Sequence, residues 1–155
     1  MKKIAPLILV AIVLVGVGCI HPSARQCSKW VSFFHQPMPD QERQFLGFEL
    51  ARQCEVYTCG MSYIHPPLMG YSELLARKGA EAVPFLRAKL REAKDEQDIY
   101  NISLVFAAMQ RLSYYDVKSD RDILADLEAG ITRMQTPELK GSVSRHLERI
   151  KSGAR

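Results

Sequence analysis

The chain has no Cys-x-x-Cys pair, no Gly-x-Ser-x-Gly elbow, no phosphate-cradling glycine loop and no His-Glu-x-x-His. Those absences remove the local signatures of a thioredoxin-type redox centre, an α/β-hydrolase nucleophile, a P-loop and a zincin. Cys-x-x-Cys-His is also missing, so no c-type haem is attached in the usual way. Neither charge sign dominates: 21 Lys and Arg face 17 Asp and Glu. The concentrated basic surface of a nucleic-acid binder has no source here. No strand-type alternation runs beyond a few residues. With 47% hydrophobic and 25% charged residues, the composition is neither disordered nor collagenous.

What is present begins at the N-terminus. Lys2 and Lys3 precede an uncharged apolar run from Ile4 to Ile20, with Gly16-Val17-Gly18 before Cys19. A cationic start, an apolar stretch and small residues at the cut make a secretory signal. Lysines stay on the anionic cytoplasmic side while the apolar run enters the bilayer. Val15-Gly16-Val17-Gly18-Cys19 resembles the lipobox of bacterial lipoproteins. The resemblance covers about the first twenty residues and departs from the commonest pattern at Gly16, where Leu is usual. It implies that residues 1–18 are a signal peptide and that Cys19 carries the lipid. Ile20, in place of Asp, implies by analogy with enteric bacteria an outer-membrane address facing the periplasm. Several acyl chains hold a protein firmly where one gives marginal anchoring. The alternative is an uncleaved membrane anchor, at roughly the 17-residue lower limit for spanning.

Cleavage before Cys19 leaves 137 residues with 19 basic and 17 acidic side chains, enough for one small domain with its own core. Residues 19–39 read as a lipidated tether and a short aromatic helix over 26–35, ended by Pro37 and Pro39. Residues 40–155 read as an α-helical domain. Asp40 is placed to cap a helix over 41–57, with Leu46, Leu50, Cys54 and Tyr57 as its apolar stripe and Gly60 as its stop. Ile64 to Tyr71 is an unusually apolar loop. A short helix runs from Ser72 to Lys78 and breaks at Gly79. Helices over 80–93 and 96–112, the second capped by Asp95, form one pair. Helices from Ser119 or Asp120 to Met134 and over 137–151, the last opened by Thr136-Pro137, form another.

These two pairs, at about 80–113 and 120–152, align at an offset of 41 without a gap. Val83, Leu86 and Leu90 match Leu124, Leu127 and Ile131; Ile102, Phe106 and Met109 match Val143, Leu147 and Ile150. Gly79-Ala80-Glu81-Ala82-Val83-Pro84-Phe85-Leu86 resembles the opening of bacterial HEAT-like repeats. That resemblance implies a short all-α array of antiparallel helix pairs. A non-repetitive helical bundle is the alternative, since any two α-hairpins share a 3.6-residue period.

With Cys19 lipidated, Cys27, Cys54 and Cys59 remain in an oxidising compartment. Three cysteines allow one internal disulfide. Cys54 and Cys59 on one regular helix point apart, so their pairing needs the helix to end near Tyr57. A bond from Cys27 to Cys54 or Cys59 closes a longer loop and is favoured on that ground; three buried thiols are the alternative. A reactive thiol beside Arg25 or Arg52, and a zinc site from Cys54, Cys59 and His65, are the enzymatic readings. His21, His35, His65 and His146 read as solvated. Asp116, Asp120 and Asp122 lack the glycine and distal glutamate of a calcium loop and suit a helix start. Arg87, Lys89, Arg91 and Lys94 read as a solvated face. Leu68, Met69 and Tyr71 are the candidate partner contact. The aromatics Trp30, Phe33, Phe34 and Phe45 are either core or a small-ligand site. The expected role is that of a lipid-anchored envelope module for protein interaction or structure, with an envelope protein as partner, no metal, no cofactor and no catalytic group.

Overall fold

The computed structural model describes residues 27–63 and 70–153. Every regular element among them is helical. A 3₁₀ turn at Ser28–Trp30 leads into α1 (Val31–Phe34), then α2 (Met38–Gly47) and α3 (Leu50–Tyr63). After α4 (Gly70–Ala76) and a 3₁₀ turn at Gly79–Glu81 come α5 (Val83–Glu92) and α6 (Glu96–Arg111). A 3₁₀ turn at Val117–Ser119 precedes α7 (Arg121–Arg133) and α8 (Pro137–Ser152). The fold is all-α. The expected signal peptide over 1–18 and residues 19–26 of the expected tether lie outside the described residues.

Helix α6 is the centre. It buries Ile99, Ile102, Val105, Phe106, Ala108 and Met109, which lie on more than one side of a helix of 3.6-residue period. Helices α3, α4, α5, α7 and α8 all pack on it, α8 most extensively. Burying a side chain such as Phe106 or Ile102 contributes about 1.5–3 kcal/mol, so this one helix organises most of the apolar gain.

The caps explain where the elements start. Asp95 accepts a bond from the Gln97 amide at 2.9 Å, and Asp120 accepts from Asp122 and Ile123 at 3.1 Å each. Pro84 sits in the first turn of α5, where a missing amide costs nothing. Thr136 holds the N-cap position of α8 without a capping bond; its amide and its hydroxyl both engage the Glu96 carboxylate.

Four expectations for the N-terminal half fail. The helix expected over 41–57 is two helices that meet at a corner, with Phe48 extended at ψ 150°. The break turns Phe48 back onto Trp30 and Phe33, at ring separations of 5.6 and 5.8 Å. Leu46 is therefore exposed, outside the expected stripe, whereas Cys54 and Tyr57 are buried. Asp40 lies inside the first turn of α2 and pairs with Arg43 rather than capping. Gly60 is not a stop: α3 continues through it to Tyr63, and it is buried.

Buried glutamines hold the corners. Gln41 donates to the carbonyls of Phe34 (3.1 Å) and Gln36 (2.6 Å) beyond α1, and Gln53 donates to those of Leu46 (3.4 Å) and Phe48 (2.9 Å) beyond α2. In both, one amide satisfies carbonyls five and seven residues back that a helix end leaves open.

The second half is two helix pairs, each joined by a three-residue turn. Helix α5 packs on α7, and α6 on α8. Polar bonds tie equivalent places. Arg87 pairs with Asp126 at 2.7 Å and Asp122 at 2.8 Å. Arg133 donates to the carbonyls of Leu90, Arg91 and Ala93 at 2.8–3.1 Å, closing the end of α5. In return, the Glu96 carboxylate accepts the amides of Gln135 (2.6 Å) and Thr136 (2.9 Å), which holds its pKa below the ordinary value. The two turns are thus linked in both directions.

Gly79 breaks the chain before α5 as expected, at φ 54°. A Cβ there would lie 2.7 Å from the Tyr114 carbonyl oxygen. Gly79→Ala is expected to destabilise the domain by about 2 kcal/mol or more, read by urea denaturation. Gly47→Ala, where a Cβ meets nothing within 4 Å, serves as the control and leaves stability unchanged or slightly raised.

Candidate functional site

The cysteines resolve first. Cys27 and Cys59 are bonded, with Cα atoms 5.4 Å apart and 32 residues between them in sequence. The bridge fastens the start of the aromatic segment to the C-terminal half of α3. Because α3 runs unbroken past Tyr57, Cys54 faces elsewhere and is a buried free thiol. Burial pushes its pKa up to about 12, with Lys89 opposing weakly. A thiolate nucleophile at neutral pH needs the opposite shift. Arg52, one of the cations suggested as a thiol activator, instead lies 5.2 Å over Trp30 and 5.0 Å over Phe48. Lys29 bridges to Glu55 at 2.7 Å.

The aromatic residues are structural. Trp30 and Phe33 are buried edge-to-face at 6.3 Å, and Phe34 packs half-buried on Phe33 at 5.2 Å. Phe45 is separate from them, stacked on Tyr71 at 4.5 Å. That stacking overturns the reading of Tyr71 as an exposed partner contact: it lies in α4, not in a loop, and is 3% exposed. Burial, then the charge of Glu42, raises its pKa to about 12. Leu68 and Met69, the other residues of that contact, lie outside the described residues, as do His65, Cys19, His21 and Arg25.

Among the described residues, no group of three or more His, Cys, Asp or Glu could hold a metal ion. The acids near α7 are already engaged. Asp116 accepts from the Ser119 hydroxyl, Asp120 accepts from the Tyr115 hydroxyl at 2.7 Å besides its capping bonds, and Asp122 pairs with Arg87. These bonds hold the Asp120 carboxyl below the ordinary range against the opposing effect of burial. The basic set is divided too, since Arg87 is committed to α7. No helix among the described residues is long and apolar enough to cross a membrane.

The strongest site was not visible as such in the sequence. A cleft of about 560 Å³ opens between α4, α6 and α8, within the roughly 300–1,000 Å³ range of small-molecule sites. Leu104, Ala107, Ala108 and Ile150 give it an apolar floor; Gln110, Arg111, His146, Arg149 and Glu73 stand around it. Arg111 bonds Glu73 at 2.8 Å, tying α6 to α4. The His146 ring lies 5.6 Å from Tyr100, and its Nδ1 is 2.9 Å from Ser103 Oγ.

The Ser103 hydroxyl donates its one proton to the Tyr100 carbonyl at 2.6 Å. It must therefore accept from His146, which places the ring proton on Nδ1 and leaves Nε2 as a bare acceptor. This is no nucleophile–base pair, since Ser103 is fully buried and its proton is spent on the backbone. Burial, with Arg149 and Arg145 nearby, lowers the His146 pKa, so the ring is neutral at pH 7. His146 was read as solvated, yet Val143, His146, Leu147 and Ile150 fall at i, i+3, i+4 and i+7. That spacing carried the signal of a half-buried ring.

Set against known proteins, the chain matches no family model, no curated sequence and no solved structure.

Two outcomes follow. The unfolded chain takes up a proton at His146 near pH 6.5, whereas the folded chain does so only at lower pH. Between those values the unfolded state binds more protons, so stability falls as pH drops through the window and is whole above it. Glu96 and Asp120, both shifted down, titrate below it. Thermal melts from pH 7.5 to 5.0 should show this loss, and His146→Gln should lose less over the same range. In native, unreduced protein, iodoacetamide should leave Cys54 unmodified for as long as the fold persists and alkylate one further thiol once urea unfolds it, as read by intact mass.

Proposed function

We propose that the chain is a lipid-anchored protein of the bacterial cell envelope, held through Cys19 and facing the periplasm, whose helical domain serves as a protein-interaction or structural module. The observation that carries this reading is the Cys27–Cys59 bridge. Disulfides persist outside the reducing cytosol, and this one uses two of the three cysteines that follow the lipobox. Exposed module surfaces also agree with the chemistry at hand. Cys59 is bonded, Cys54 is protonated, and Ser103 is buried without a free proton, so none of these three is an activated nucleophile.

The proposed architecture is a short HEAT-like array. Its support is the stacking of α5 on α7 and α6 on α8 together with the 41-residue offset. Leu86 and Leu127, Ile102 and Val143, Phe106 and Leu147, and Met109 and Ile150 are buried on both sides of the alignment. Leu124 and Ile131 are half-buried where Val83 and Leu90 are buried. Helical arrays of this kind offer a continuous surface and need no catalytic group; this step from fold to role is analogy.

Metabolic labelling with an alkynyl palmitate tests the anchor. Wild-type protein should take the label and fractionate with membranes, while Cys19→Ser should stay unlabelled at precursor mass. Unlabelled wild-type protein in the cytosol, with a reduced Cys27–Cys59 pair, would overturn the reading. Crosslinking in intact cells should then return a discrete envelope protein partner.

A further inference from the structure

We propose that the cleft between α4, α6 and α8 binds a small organic anion, a carboxylate joined to an apolar body of one or two rings. The proposal goes beyond the anchored-module reading and does not rest on it. Three features point the same way. The first is shape and lining: about 560 Å³ with Leu104, Ala107 and Ile150 as floor is room for an apolar group that water fills poorly. Ala107 is small where α4 and α8 stand apart, so α6 leaves space there that a larger side chain would take.

The second is charge. Arg111 and Arg149 both reach the cleft, and Glu73 is the one acid on its lining among the described residues. Glu73 is bonded to Arg111. The Arg149 guanidinium forms no hydrogen bond or ion pair with any described residue, and its charge disfavours protonation of the neighbouring His146 ring. A guanidinium fork matches a carboxylate in two parallel bonds, which a neutral ligand cannot reproduce.

The third is the ring beside it. Ser103 fixes His146 in one tautomer and Tyr100 packs on its face, so the imidazole is held in place before any ligand arrives. Its Nε2 is unused by Ser103. A cationic ligand would meet Arg111 and Arg149 with only one carboxylate already committed. The site therefore selects anions, and its polar groups stand at the rim of an apolar floor.

The probe is 1-naphthoate, with the neutral 1-naphthamide as its isostere. Binding is measured by equilibrium dialysis on the full chain in nonionic detergent, with detergent alone as the blank. Protein-dependent, saturable uptake of naphthoate is expected, with naphthamide held about two- to fivefold weaker, the scale of one exposed charge pair. Arg149→Ala should weaken naphthoate by a similar factor without changing naphthamide, and Arg149→Lys should restore part of it. Ala107→Trp should abolish binding of both, its fold checked by circular dichroism; should that variant unfold, Ala107→Met takes its place and should weaken both. Absence of protein-dependent uptake, equal binding of the acid and the amide, or an Arg149→Ala variant that binds naphthoate unchanged would each overturn the proposal.

Discussion

The structure depends on the need to bury one helix on several sides at once. Helix α6 carries Ile102, Val105, Phe106 and Met109 at full burial, and no single neighbour can cover them. Apolar area is removed from water only where α3, α4, α5, α7 and α8 each take a share. That requirement places α8 along one side and α5 with α7 along another. It also decides the polar chemistry, since a helix buried this way brings Asn101 and Ser103 inside with it. Each has to find a partner. Ser103 finds Tyr100 and His146, and the Asn101 side-chain oxygen accepts from Gln97 at 3.0 Å while its carbonyl accepts from the Tyr57 hydroxyl at 2.8 Å. The cleft lies where this packing stops short, at the C-terminal part of α6.

Covalent and polar links then secure what burial alone leaves loose. The N-terminal segment is short and its helices are brief, with α1 only four residues long. A helix of that length has no stability of its own. The Cys27–Cys59 bridge, the Gln41 and Gln53 bonds and the Arg52 guanidinium over two rings supply what helix length does not. In the C-terminal half the same role falls to Arg87, Arg133 and Glu96, which join the two helix pairs at their faces and turns. Ser113 shows what such joints cost. It holds φ 59° without being glycine, so that the Tyr114 amide can turn back to the Met109 carbonyl at 3.0 Å and end α6.

Most of the readings that survived rested on local chemistry, although the cap at Asp40 and the stop at Gly60 were of that kind and failed, while the straight helix over 41–57 rested on extrapolated periodicity. Pro84, Asp95, Asp120 and Gly79 act within a few residues of where they stand, so their roles were readable. The stripe Leu46, Leu50, Cys54 and Tyr57 assumed a straight helix through Gly47 and Phe48. Gly47 is a weak local invitation to break it; the contacts of Phe48 with Trp30 and Phe33 fix the corner there. Tyr71 was read by the loop before it, whereas its partner Phe45 lies far off in sequence. For the cleft, Val143, His146, Leu147 and Ile150 showed a histidine on an apolar stripe, but nothing nearby indicated Ser103 or Arg111.

By itself the sequence determined the helical class, the start of the C-terminal helices, the signal-like N-terminus and the preference for a disulfide from Cys27. Each follows from side chains acting on their own backbone or from a count of cysteines. Tertiary structure alone decided that the bond reaches Cys59 and leaves Cys54 inert, that α2 and α3 part at Phe48, and that Arg111, His146 and Arg149 surround one cleft. The reason is physical: these outcomes depend on which distant surfaces meet when apolar area leaves water, and that competition among whole helices is written in no single stretch of chain.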